Sequence, residues 1–192
     1  MANAISSAIM NLSAAEKLTR VAGALEIYRQ GRGPADRAVS RWWEDAELSE
    51  LLLKPKPMVT VGVAVRRETF TRIREANGQP ALAIVPQEQD AEEFELHFGD
   101  GVELDVLTSR EPAGQGAIAR FLAKFGEGVQ QVEFRCLNVD RAMAILRERF
   151  GLAPVYPEAR AGANGSKVNF VLVPVPGAAE NAKVLIELYE LP

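Results

Sequence analysis

Two glutamates, Glu103 in VELDVL and Glu187 in KVLIELYE, are the first candidates for chemistry, because they occupy matching places in two similar strand-like runs. Strand side chains alternate, so each glutamate shares a face with other polar groups. In EFELHFGDGVELDVL that face carries Glu93, Glu95, His97, Glu103 and Asp105, opposite Phe94, Leu96, Val102, Leu104 and Val106. In QVEFRCL it carries Gln131, Glu133 and Arg135, opposite Val132, Phe134 and Cys136, while Glu187 and Tyr189 oppose Ile186 and Leu188. Two carboxylates converging in a semi-enclosed space repel. They share a proton, pair with a cation such as Arg135, or bind a metal. Arg135 and Asn169 are further candidates for holding an anionic or hydroxylated small molecule. A sheet with one wet face gives the same alternation, so the placement of the glutamates carries the functional expectation.

The elements that must position these residues repeat once along the chain, in the order strand, helix, then three strands. VTVGVAV (59–65) leads into the helical RRETFTRIREANG with Gly78 as a stop, and QVEFRCL (131–137) leads into NVDRAMAILRERFG stopped by Gly151. ALAIV, EEFELHF and VELDVL complete the first half; KVNFVLVPV and KVLIELYE close the second. Asp100-Gly101 reads as a two-residue hairpin turn with both residues at positive φ, and Asn164-Gly165 as a turn into the next strand. AIARFLAKFG (117–126) is a linking amphipathic helix.

Before residue 54 the pattern is helical. Ser13 and Glu16 have capping-box spacing, and Leu18, Val21, Ala22 and Leu25 fall on one face of a helix expected to stop at Gly31-Arg32-Gly33. A second helix is expected from Pro34, with Ala35, Ala38, Val39, Trp42, Trp43 and Ala46 on its apolar side. Two helices make a thin core, so they dock on the remainder or on a second subunit. The tryptophans are expected to pack on their own chain, and a homodimer is the expected assembly. Lys54-Pro55-Lys56-Pro57 reads as an extended connector, giving boundaries at 1–57 (helical extension), 58–125 (first module with the linking helix) and 126–192 (second module).

With 22 Lys and Arg against 26 Asp and Glu, the net charge is −4, which offers no basic surface for tracking phosphates, and nucleic acid is not an expected partner. No apolar run approaches the roughly 20 residues of a membrane span, and the first residues lack a basic leader, so the expectation is a cytoplasmic chain without a membrane partner. One cysteine, Cys136, excludes an intramolecular disulfide and cysteine-based zinc clusters, and falls on the apolar side as a core residue. His97, the one histidine, reads as a hairpin-end surface residue. GQGAIAR and GANGSK lack the spacing of a phosphate loop.

Residues 58–192 resemble the vicinal oxygen chelate superfamily, and within it methylmalonyl-CoA epimerases and glyoxalase-like proteins most of all. AIARFLAKFGEGVQQVEF (117–134), ARAGANGSKVNF (159–170) and VLIELYE (184–190) carry the resemblance. It implies an α+β fold in which two βαβββ modules form an eight-stranded, cup-like mixed sheet, here preceded by the helical extension. It also implies a divalent metal, held from the first and fourth strands of each module, that polarises a substrate carbonyl while a carboxylate moves a proton at the adjacent carbon.

Carried over residue by residue, the metal positions fall on Thr60, Glu103, Gln131 and Glu187, with both family histidines replaced, by Thr60 and Gln131. The family's catalytic glutamate falls on Glu93, aligned through Gln89 with one inserted residue, and Glu187 is the second acid/base candidate. An all-oxygen set suits magnesium, manganese or calcium better than zinc or cobalt; a cup without metal, neutralised by Arg135, is the competing expectation. The expected function is a metal-assisted isomerase, epimerase or lyase acting by proton transfer beside a carbonyl. A non-catalytic binder of a small molecule bearing a carbonyl or carboxylate, with a degenerate metal site, is the alternative.

Overall fold

The structure is a computed structural model of the chain and describes residues 4–192. In chain order its regular elements are α1 (Ala4–Asn11), α2 (Lys17–Ala38), α3 (Ala46–Leu51), β1 (Val59–Ala64), α4 (Arg67–Ala76), β2 (Ala91–Phe98), β3 (Val102–Ser109), α5 (Ala117–Phe125), β4 (Gly128–Arg135), α6 (Val139–Phe150), β5 (Arg160–Ala161), β6 (Lys167–Pro174) and β7 (Lys183–Glu190). The chain divides into two compact units, Met1–Gly31 with Thr60–Gln130, and Arg32–Val59 with Gln131–Pro192.

In the first unit β3 runs between its neighbours, antiparallel to β2 and parallel to β1, with Val61 level with Leu104 and Phe94 level with Val106. In the second unit β7 takes the same place, parallel to β4 and antiparallel to β6, with Val132 level with Ile186 and Val171 level with Ile186 from the other side. Each unit thus lays its closing strand beside its opening strand. The two arrangements match the repeat read from the sequence, and the fold is α+β with mixed strand pairing.

The apolar strand faces are buried as alternation predicts: Phe94, Leu104 and Val106 in the first unit, and Val132, Phe134, Ile186 and Leu188 in the second, are inaccessible. Phe70 of α4 meets Phe94 edge-on at 4.7 Å between ring centroids. In the second unit Asn138 caps α6 by accepting from the Arg141 N–H, and Gly151 ends the helix in the left-handed region. Asp45 caps α3 through the Leu48 N–H. Arg149 bridges Asp45 and Glu47, and Arg141 also reaches Glu47, so α3 is tied to α6 by exposed charge pairs. Trp42 is buried in this unit and Trp43 lies 6.2 Å from the Phe134 ring, as expected of tryptophans that pack on their own chain.

Several local expectations are corrected. The helix expected to stop at Gly31 continues through Gly31, Gly33 and Pro34 as α2. Gly31 acts there as a packing residue, since a Cβ at this position would lie 2.5 Å from Val61 Cγ1. The buried positions of α2 are Gly23, Ala24, Ile27, Gly31 and Ala35, whereas Leu18 is exposed. A face of small residues replaces the larger apolar one that was expected. Ser13 donates its hydroxyl to the Met10 carbonyl at the end of α1 and does not cap α2.

Trp42 and Trp43 belong to a short 3-10 turn over Ser40–Glu44, and Lys54–Pro57 is folded into turns, with the Lys54 and Lys56 N–H groups bonded to the Ser49 and Leu53 carbonyls. The ALAIV stretch is not a regular strand. Pro80 and Pro86 bound it, Ile84 points to solvent, and the Ala83 N–H joins it to the Glu93 carbonyl. Seven strands, three and four, are therefore found among the described residues, where eight were expected. β2 and β3 are joined through the three residues Gly99–Gly101, with Gly101 at φ +72°, a longer connection than the two-residue turn predicted. Asn164 and Gly165 adopt φ +52° and +78°, as their turn requires.

Candidate functional site

The polar strand face of the first unit is built by register. Continuing the β1–β3 pairing one residue beyond Val61 and Leu104 sets Thr60 beside Glu103, and the Thr60 hydroxyl donates to Glu103 Oε2 at 3.4 Å. At that length the bond is weak. Across β2–β3, His97 is level with Glu103, Glu95 with Asp105, and Glu93 with Leu107. His97 is exposed, as expected of a hairpin-end residue, and its Nε2 lies 3.1 Å from Glu95 Oε2.

Glu93 is a perturbed acid of this face. Burial, reinforced by the Glu95 charge and opposed by the Arg110 guanidinium, pushes its carboxyl up to about 7. A carboxyl that titrates near neutrality can take up and return a proton at working pH.

Three further residues of this unit bear on the site, and only Asp105 among them is marked by the sequence. Asp105 is buried at the centre of β3, level with Glu95. Arg110, next after β3, faces Glu93 electrostatically and donates to the Val85 carbonyl. Asp90 holds that end of the hairpin: its carboxylate accepts from the Ser109 hydroxyl (2.9 Å) and the Glu111 N–H (3.0 Å), and its carbonyl accepts from the Arg110 N–H. Strand parity places Asp105 on the polar face. Arg110 and Asp90 lie just outside the strands, where alternation carries no information.

In the second unit the equivalent geometry is tighter. Glu133 of β4 is level with Glu187 of β7. Gln131, two residues earlier on the same face, is buried; its Nε2 donates to Glu187 Oε2 at 2.5 Å and to Glu133 Oε1 at 3.1 Å. One amide thus spans two directly opposed carboxylates, where like charges would otherwise be unfavourable.

Arg135 continues the same face, level with Tyr189. Its guanidinium touches Met58 Sδ at 3.3 Å, and among the described residues it has no carboxylate partner. Asn169 lies on the other face: it is level with Leu188, and its amide donates to the Tyr156 carbonyl and accepts from the Tyr156 N–H. The structure therefore brings Thr60 to Glu103, and Gln131 to Glu187, and sets Asn169 apart from Glu187 in a role that fixes the chain at Tyr156. Cys136 is buried and its thiol is pushed up to about 11 by that burial, which leaves it a core residue.

For a metal, the oxygens of Thr60, Glu103, Gln131 and Glu187 are hard donors. Within each unit, however, the opening-strand residue turns a hydrogen towards its glutamate. Among the described residues no three His, Cys, Asp or Glu side chains come together as a metal-holding group. No helix among the described residues is long and apolar enough to cross a membrane.

No protein-family model matches the chain, and no curated protein does. Solved structures do. Methylmalonyl-CoA epimerase from Mycobacterium tuberculosis is 29% identical with a TM-score of 0.54, over 69% of this chain and 86% of that one. A Streptomyces coelicolor methylmalonyl-CoA epimerase variant in complex with 2-nitronate-propionyl-CoA is 25% identical with a TM-score of 0.53, over 70% of this chain and 96% of that one. A methylmalonyl-CoA epimerase in complex with methylmalonyl-CoA and NH4+ is 26% identical with a TM-score of 0.53, over 70% and 93%. The fold is thus epimerase- and glyoxalase-like, in agreement with the resemblance read from the sequence.

Proposed function

We propose that this chain transfers a proton at a carbon next to a substrate carbonyl, as an epimerase, isomerase or lyase does. The substrate class is a small carboxylated acyl thioester or a related 2-substituted acid. Glu93 in the first unit and Glu187 in the second are the acid/base carboxylates, and Arg135 pairs with the substrate's anionic group. The observation that carries this reading is Glu93, a half-buried carboxylate titrating near neutrality on the polar strand face of an epimerase-like fold. As a base it breaks the C–H bond and takes the proton, and the electron pair moves onto the carbonyl oxygen as an enolate. The conjugate acid then returns a proton to the same carbon. Methylmalonyl-CoA, the thioester bound in one solved epimerase structure, carries an acidic α-proton of this kind.

A second reading, a small-molecule binder without turnover, is favoured by one observation: Thr60 and Gln131 act as hydrogen-bond donors at the positions where the family resemblance implies metal-binding imidazoles. One experiment separates the two. Acyl-CoA thioesters, 2-hydroxy acids and 2-keto acids are incubated with the protein in deuterated water, and α-deuterium is read by mass spectrometry alongside thermal stabilisation. Enzyme-dependent exchange with at least one compound is expected. Stabilisation without exchange establishes the binder, and neither result with any compound removes both readings.

A further inference from the structure

We infer that Gln131 is a positioning residue that holds Glu187 and Glu133 by hydrogen bonds, and that a divalent metal does not organise this carboxylate pair. The inference rests on the reading that Glu187 is a reacting carboxylate, and it assigns that group a different support from the one the family resemblance implies. A metal ligand must turn a lone pair to the ion. Gln131 presents Nε2, which carries two hydrogens and no lone pair, to Glu187 Oε2 and to Glu133 Oε1, and both hydrogens are used.

With both carboxylates ionised, the opposite amide orientation would set three acceptor oxygens against one another at 2.5 and 3.1 Å with no hydrogen between them. For the Gln131 carbonyl oxygen to share one cation with Glu187, it must take the place that Nε2 holds, so both hydrogen bonds must break and the buried Glu187 loses this donor. The substitution of amide for imidazole is thus coherent with the carboxylate opposite. Glu133 is level with Glu187, and the amide between them supplies the partial positive charge that a metal would otherwise supply.

The test uses the full chain and reads metal, not turnover. Mn2+ affinity is measured by electron paramagnetic resonance for the wild-type protein and for Gln131→Glu, which keeps the shape of the side chain but turns a donor into a third carboxylate. In parallel, the Gln131 side-chain amide resonances of the wild-type protein are followed during addition of Mg2+. The inference predicts that Gln131→Glu binds Mn2+ at least about tenfold more tightly than the wild type, since affinity of such sites rises with carboxylate count. It also predicts that Mg2+ leaves the wild-type amide resonances in place. Equal or tighter Mn2+ binding by the wild type, or a Gln131 amide that shifts with Mg2+, overturns it. The amide measurement decides alone if Gln131→Glu does not fold. Failure of the proton-transfer reading would appear as absent deuterium exchange and would leave both of these readouts unchanged.

Discussion

The two units solve one problem with side chains of different length. In the first, Thr60 is short and β-branched, reaches only the residue level with it across β1–β3, and makes a 3.4 Å contact with Glu103. In the second, Gln131 is long enough to reach diagonally to Glu187 at 2.5 Å and along its own strand to Glu133. A strict match of registers pairs Glu133 with Glu187 and Gly62 with Asp105, so the geometric counterpart of Glu187 is Asp105, not Glu103. Both units thus carry a carboxylate at this register, Asp105 and Glu187, and the first carries Glu103 two residues before it. The second unit is accordingly the more firmly organised half. The first holds the acid that titrates near neutrality, since Glu93 has burial and Glu95 against it and only Arg110 in its favour.

Removing one carboxylate from each unit is the most disruptive way to test this contrast. Glu93→Gln and Glu187→Gln are each expected to slow α-proton exchange by about 10²- to 10⁴-fold, the range for loss of a general acid or base, as measured by deuterium incorporation. An effect confined to one variant would place the chemistry in one unit.

The next largest effect is on stability. The folded Glu93 carboxyl titrates at about 7 against 4.5 for the free group, so between these values the folded state keeps a proton that the unfolded chain has lost. Stability therefore falls as pH rises from 4.5 to about 7 and levels off above, by on the order of 3 kcal/mol. Urea unfolding across this window should show the fall in the wild type and its loss in Glu93→Gln.

Asn169→Leu probes the second unit away from the carboxylates. It leaves the Tyr156 N–H and carbonyl without their partner, and is expected to cost about 2 kcal/mol by the same unfolding measurement, with exchange rates retained. The smallest effects sharpen the comparison itself. Gln131→Leu removes a short bond to a buried carboxylate and should cost about 1.5 kcal/mol, whereas Thr60→Val removes a long one and should cost under about 0.5 kcal/mol. Equal costs would erase the difference between the half-sites.

Much of this was legible in the sequence, for identifiable reasons. Alternation in FELHF, VELDVL, QVEFRCL and VLIELYE put Phe94, Leu104, Val106, Val132, Phe134, Ile186 and Leu188 on the apolar, buried side, while Asp105, Gln131 and Glu187 on the polar side are buried as well, which alternation did not show. The glycine stops at Gly78 and Gly151 and the Asn164-Gly165 turn depend on backbone conformation that few residues tolerate. What alternation could not show lies in reach and packing. Asn169 occupies the buried face as a polar residue, and only the nearby Tyr156 backbone explains it. Gly31 resembles a helix stop until Val61 is seen against it. Arg110 and Asp90 act from just outside the strands, and the diagonal reach of Gln131 follows from its length and the β4–β7 register, which no spacing within one strand encodes.

The most direct measurement is the pH dependence of α-deuterium incorporation into methylmalonyl-CoA, chosen because an epimerase of this fold binds it, by the wild-type protein and by Glu93→Gln. If Glu93 is the base, wild-type exchange rises as the pH passes through about 7 and then levels, and the variant shows neither the rise nor comparable exchange. Exchange at undiminished rate in Glu93→Gln, or a wild-type profile flat across that pH, would contradict the account.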